Sequence, residues 1–110
     1  PFREAYFLED ALQFRAAVKL PLVYVGGVTS RQTIDEILNS GFEMVAMARA
    51  LINEPGWVNR MKTEEDARSH CIASNYCIAR MYSREMACHQ HLKDLPASIR
   101  KELATTSSKR

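Results

Sequence analysis

The chain has 110 residues, 46% of them hydrophobic and 25% charged, with a formal net charge of +2. That suits one small domain with an ordinary core and argues against disorder over most of the length. The fifteen basic residues form no long block, so charge makes no case for nucleic acid, and no apolar run approaches the ~20 residues of a membrane-spanning helix.

The first residue is Pro1, which suggests a fragment, a processed product or an incomplete reading of a longer chain. Residues 1–20 carry charges throughout, so no secretory signal is read. Three cysteines without an export signal favour a reducing, cytoplasmic setting over a disulfide framework.

Residues 3–19 predict an amphipathic helix. Phe7, Ala11, Phe14 and Val18 recur at helical spacing, Leu8 and Leu12 widen the stripe, and Pro21 ends it. Leu22-Val23-Tyr24-Val25 is a short apolar run that stops at Gly26-Gly27, the pattern of a strand covered on both faces in a parallel sheet. Thr29 with Gln32 fits a capping box, so a helix is expected to follow, with Ile34, Ile37 and Leu38 buried and Gly41 as its left-handed end. Met44-Val45-Ala46-Met47 is a second buried run. A long helical connection between two such runs suits a right-handed βαβ crossover.

Beyond Arg49, Pro55 is placed to open a helix through Trp57, Val58 and Met61. Residues 62–69 read as a polar surface connection, Cys71 to Tyr82 as a helix, 86–92 as irregular, and Pro96 to Leu103 as a short final helix. Residues 104–110 read as a disordered tail. Trp57 and Phe14 are expected in the core. Asp35-Glu36 and Glu64-Glu65-Asp66 read as solvated helix faces, without the context of paired catalytic carboxylates.

Two features carry chemistry. Val25-Gly26-Gly27-Val28 closes the first strand and Met47-Ala48-Arg49 closes the second. In a parallel α/β array both lie at the carboxyl ends of neighbouring strands, the edge where ligands bind. Glycines let backbone approach a ligand closely, and arginine adds a permanent planar charge suited to phosphate. A Gly-Gly pair is also an ordinary tight turn and an arginine at a strand end an ordinary surface residue; the pairing one strand–helix unit apart brings the anion-site reading level with these.

The segments from Leu20 to Val28, from Met44 to Arg49 and Asn53-Glu54-Pro55, with Glu4-Ala5-Tyr6-Phe7-Leu8 upstream, resemble the last two strands of the NADH:flavin oxidoreductase family, to which old yellow enzyme and 2,4-dienoyl-CoA reductase belong. The resemblance covers about residues 1–90. It implies an α/β fold: the C-terminal portion of a (β/α)8 TIM barrel, strands seven and eight with flanking helices, plus a helical cysteine-containing extension. The expected divisions are 1–62 for the barrel segment, 63–103 for the Cys/His extension and 104–110 for the tail.

The resemblance further implies FMN as cofactor, NADH or NADPH as hydride donor and a small-molecule acceptor. It places Gly26, Gly27, Ala48 and Arg49 at the flavin phosphate. Family members usually have Gly where Ala48 stands and often Pro where Ala50 stands. No catalytic residue is assigned, because the family's proton donor and substrate-anchoring pair come from earlier strands. The segment is therefore expected to be silent alone and to need the remainder of a barrel or a homo-oligomer partner.

Cys71, Cys77, Cys88, His89 and His91 also lie where one branch of the family holds an iron–sulfur cluster in the pattern C-x2-C-x3-C-x11-C. Ser74, Ile78 and Gln90 occupy its second, third and fourth positions, so that cluster is read as absent. A zinc site from the three cysteines with His89 or His91 is one alternative, free thiols and surface histidines the other, and no metal ligand is assigned. The remaining functional alternative is a catalytically silent module that self-associates or is stabilised by zinc.

Overall fold

The computed structural model describes residues 2–93 and 95–108. In chain order the elements are α1 (Leu8–Ala17), β1 (Val23–Val25), α2 (Arg31–Asn39), β2 (Met44–Ala46), α3 (Arg49–Asn53), α4 (Trp57–Met61), α5 (Tyr76–Arg80), a 3₁₀ turn (His89–His91) and α6 (Ala97–Ser108). β1 and β2 pair in parallel, Val23 opposite Met44, Tyr24 opposite Val45 and Val25 opposite Ala46. The crossover between them is α2, as the helical spacing between the two apolar runs requires.

The sheet has one covered face. Tyr24 is buried and Val45 packs against the core beside it. On the opposite face Val23, Val25 and Met44 are more than half exposed. The expectation that the first strand is covered on both sides therefore fails within this chain, because no second layer of the described residues lies over that face.

Helix α1 corrects a second expectation. Phe7 and Phe14 are 53% and 65% exposed, whereas Leu8 and Ala11 pack on the core. Residues 4–7 form a turn, with Ala5 at φ +51, so the helix starts at Leu8. Its rotation is fixed at both ends. Ala5 N–H donates to the Gly27 carbonyl at 2.9 Å, and the Arg15 guanidinium donates to the carbonyls of Val18 and Leu20. These polar anchors turn the 8/11/15/18 side inward in place of the 7/11/14/18 side.

Helix α2 is capped one residue later than the Thr29–Gln32 pattern predicts. Ser30 is the N-cap, and its hydroxyl accepts from Thr33 N–H at 3.2 Å. Thr29 is diverted to a carboxylate described below. Ile37 is fully buried and Ile34 packs beside it, but Leu38 is 40% exposed. Gly41, at φ +106, follows the C-cap in the left-handed conformation expected of it.

The core gathers Tyr24, Ile37 and Trp57 with Val28, Phe42, Ala50, Met61 and Ala67. Trp57 packs as its spacing suggests, and its indole N–H donates to the Ala67 carbonyl at 3.1 Å. That contact, with Ser69 N–H donating to the Thr29 carbonyl at 2.9 Å, folds the 62–69 segment back onto the body. Ala67 and Ser69 are accordingly buried, although the segment reads as a surface connection.

The helix expected over Cys71 to Tyr82 shortens to α5. Ala73 and Asn75 adopt φ +57 and +63, so the chain turns there and cannot be helical. At the other end α6 runs on to Ser108, so residues 104–108 of the expected tail are helical; 109–110 lie outside the described residues. Among the described residues, no helix is long and apolar enough to cross a membrane.

Candidate functional site

Parallel pairing places the ends of β1 and β2 side by side, so the Gly26-Gly27 turn and the Met47-Ala48-Arg49 turn share one edge. Between them lies a cavity of about 80 Å³, lined by Gly26, Gly27, Ala48 and Arg49 together with Tyr6 and Cys71. All four residues proposed from sequence are thus brought together. At roughly 10–15 Å³ of such space per water, the cavity admits a group of phosphate size, and a flavin ring system would project beyond it.

The two glycines are required by their surroundings. Gly26 has φ +138 and Gly27 φ +67, conformations that side chains disfavour. A Cβ on Gly27 would stand 2.4 Å from the Tyr6 ring, and one on Gly26 would stand 2.8 Å from Phe7. The Tyr24 hydroxyl secures the same region, accepting from Phe7 N–H at 3.2 Å and donating to the Gly26 carbonyl at 2.8 Å. Burial pushes the Tyr24 phenol up, which keeps it a donor. Ala48, at φ −120, needs no glycine conformation, so its departure from the resembling family carries no backbone strain.

Arg49 is the charge of the site. Its guanidinium donates to the Tyr6 hydroxyl at 3.1 Å and to the side-chain oxygen of Asn75. Both partners are neutral, and among the described residues Arg49 makes no ion pair. A half-buried cation held by neutral groups beside a glycine turn is chemically suited to an anion. The donor set, the cavity and the close-packed glycines fit a phosphate.

Sequence reasoning missed the groups that fix this edge. The Glu4 carboxylate accepts from the hydroxyls of Thr29, Thr33 and Ser30, the last at 2.9 Å, and pairs with Arg68 at 2.6 Å. Burial opposes its charge, but the three hydroxyls and the Arg68 guanidinium outweigh that and hold the carboxyl below its usual range. This knot pins residues 4–7 to the start of α2 and so lays Tyr6 over Gly27. No motif marks it, because Glu4 is 25 to 64 residues from its partners. Tyr6 and Asn75 were equally invisible as partners of Arg49.

The cysteine region is more ordered than its sequence suggests. Cys71, Cys77, Cys88 and His89 line one smaller cavity, and among the described residues no disulfide joins the cysteines. The positions where the iron–sulfur pattern would need ligands are otherwise engaged. Ser74 Oγ lies 3.3 Å from His89 Nδ1, and the Gln90 side chain bridges Asn53 and the His70 carbonyl. Among the described residues no three His, Cys, Asp or Glu side chains are placed to hold a metal ion, so the zinc alternative finds no ligand set there.

No protein-family model matches the chain, and no solved structure matches it. Two curated proteins do. The chain is 43% identical over 83 residues to the 4,4'-dithiodibutanoate disulfide reductase of Rhodococcus erythropolis, covering 76% of this chain and 21% of that protein. It is 32% identical over 54 residues to the NADH:acrylate oxidoreductase of Vibrio harveyi, covering 49% of this chain and 5% of that protein. The chain therefore spans about a fifth of one relative and a twentieth of the other, and what it is similar to, in both cases, is part of an oxidoreductase.

Proposed function

We propose that the chain is the C-terminal part of an FMN-dependent NAD(P)H oxidoreductase built on a (β/α)8 barrel, and that it contributes the flavin-phosphate half of the active site. The observation that carries the reading is the shared edge, where the turn of Gly26 and Gly27 and the turn of Ala48 and Arg49 line one cavity with a guanidinium that makes no ion pair among the described residues.

Two further observations support it. A two-stranded parallel sheet with an open apolar face is rare as a finished structure, since parallel strands occur almost only in larger arrays covered on both sides. The similar proteins are a disulfide reductase and an NADH-linked oxidoreductase of acrylate, an activated alkene. Both named compounds are carboxylates with an electrophilic centre, which makes that class the proposed acceptor of the whole enzyme.

In this reading the phosphate meets the backbone of the Gly26-Gly27 turn, whose glycines leave room for Tyr6 and Phe7 to pack against it. Arg49 neutralises the phosphate, and Tyr6 with Asn75 orients the guanidinium. The Glu4 knot and the Tyr24 hydroxyl hold the Gly26-Gly27 turn and the segment laid over it. When bound, FMN supplies the chemistry that passes a hydride from NADH or NADPH to the acceptor. The residues present anchor and orient; none of them is assigned to proton transfer.

Fluorescence titration of the protein with FMN and with riboflavin, which lacks the phosphate, tests this. FMN is expected to bind at least about tenfold tighter, a difference of about 1.4 kcal/mol, and Arg49→Ala is expected to remove most of it. NADH oxidation by this chain alone is expected to stay at background. Equal affinity for the two flavins, or no binding of either, contradicts the reading and leaves the self-associating module in its place.

A further inference from the structure

Two arginines of the C-terminal half line a cavity that no sequence motif marks. Between Ala67 and Lys93 the chain holds four Lys or Arg and one acid, Glu85. Two of the four, Arg80 and Arg84, line the cavity with Tyr76, Ser83, Pro96 and Ile99. Its volume is about 320 Å³, against about 80 Å³ for the flavin-phosphate cavity, and the two share no residue. Among the described residues no carboxylate lines it.

The turn that ends α5 places both charges. The Arg80 carbonyl accepts from Ser83 N–H at 3.1 Å and from Arg84 N–H at 2.9 Å. The second bond keeps helical register, in which residues four apart are neighbours. Arg80 is partly buried, and its Nε donates to the Glu85 carbonyl at 2.8 Å, which fixes the guanidinium. A basic residue at a helix C-terminus ordinarily answers the carbonyls exposed there, and Arg80 does so through Nε alone. Its Nη groups and the whole guanidinium of Arg84 make no hydrogen bond or ion pair among the described residues, Glu85 included. Like charges four residues apart on one turn repel, and an anion between them removes that cost.

The rest of the lining suits an apolar, flat body. The Tyr76 ring is set 6.3 Å from the His89 ring at 81° to it, and Pro96 and Ile99 come from the entry and first turn of α6. At roughly 10–15 Å³ of such space per water, the cavity takes a group several times the size of phosphate. We propose that it binds an organic phosphate of nucleoside monophosphate size, with the phosphate on Arg80 and Arg84 and the base against Tyr76, Pro96 and Ile99. Two guanidinium groups match the near-double charge of a phosphate monoester better than the single charge of a carboxylate. An aromatic ring beside them gives a base a face to stack on. Arg49 takes no part, so this site and the flavin-phosphate site stand or fall separately.

Isothermal titration calorimetry with AMP, adenosine and inorganic phosphate tests it. AMP is expected to bind at least about tenfold more tightly than either of the others. Arg80→Gln and Arg84→Gln are each expected to lower the AMP affinity at least about tenfold and to leave adenosine unchanged. Arg49→Ala is expected to change the AMP affinity by less than about twofold. Photolabelling of the unsubstituted protein with an azido-substituted AMP, followed by digestion and mass spectrometry, is expected to mark peptides that hold Tyr76, Pro96 or Ile99. Adenosine or phosphate bound as tightly as AMP, AMP binding lost with Arg49 in place of Arg80 and Arg84, a label elsewhere, or no saturable AMP binding overturns the proposal. The label map decides even where a variant fails to fold.

Discussion

Glu4 shows how a single carboxylate organises the site. Three hydroxyls and one guanidinium stabilise its charged form, so its pKa in the folded state lies below the usual glutamate value of 4.5. A depressed carboxylate stabilises the fold fully above its unfolded pKa and loses that contribution as pH falls through the folded one. Replacing Glu4 by Gln is therefore expected to destabilise the protein by about 1–3 kcal/mol at neutral pH. The gap to the unsubstituted protein should close as pH falls below 4.5. Chemical denaturation across that range measures it, and a gap that is independent of pH contradicts the assignment. That the two turns share one edge was legible in sequence, because Gly-Gly and Arg stand next to their strands. Glu4, Tyr6 and Asn75 were not, since their roles arise only from contacts across the fold.

At the scale of elements, sequence spacing located the strands and α2 well, because β-branched runs and a 3.6-residue apolar repeat are local signals. It failed where polar anchors outweighed apolar spacing. Helix α1 presents Leu8 and Ala11 to the core and leaves Phe14 in solvent, since the Arg15 guanidinium and the Ala5 N–H fix its rotation through hydrogen bonds to backbone carbonyls. Helix α5 begins only at Tyr76 because two left-handed residues precede it. Trp57 on α4 makes the reverse case. Its place in the core was legible, but its hydrogen bond to Ala67, which makes 62–69 part of the body, was not. Trp57→Ala is expected to cost about 3–5 kcal/mol through the cavity it leaves. Trp57→Phe should cost about 1–3 kcal/mol, much of it from the buried Ala67 carbonyl left without its donor. Urea denaturation midpoints at unchanged slope report both, and a Phe variant as stable as the original would remove the hydrogen bond from the account.

At the scale of the whole molecule, the helix-facing side of the sheet is finished and the other side is open. Tyr24 and Val45 are packed, while Val23, Val25 and Met44 face away from the core at more than half exposure. An apolar row on a parallel pair is what one wall of a larger α/β array would present. The chain spans 21% of the length of the disulfide reductase it is similar to. The central claim is that the two turns at the carboxyl end of this pair hold the phosphate of a flavin. A crystal structure of the protein with FMN measures it most directly. The account predicts the phosphate between the Gly26-Gly27 turn and Arg49, within hydrogen-bonding distance of the guanidinium. A flavin bound elsewhere, with that cavity filled only by water, would contradict it.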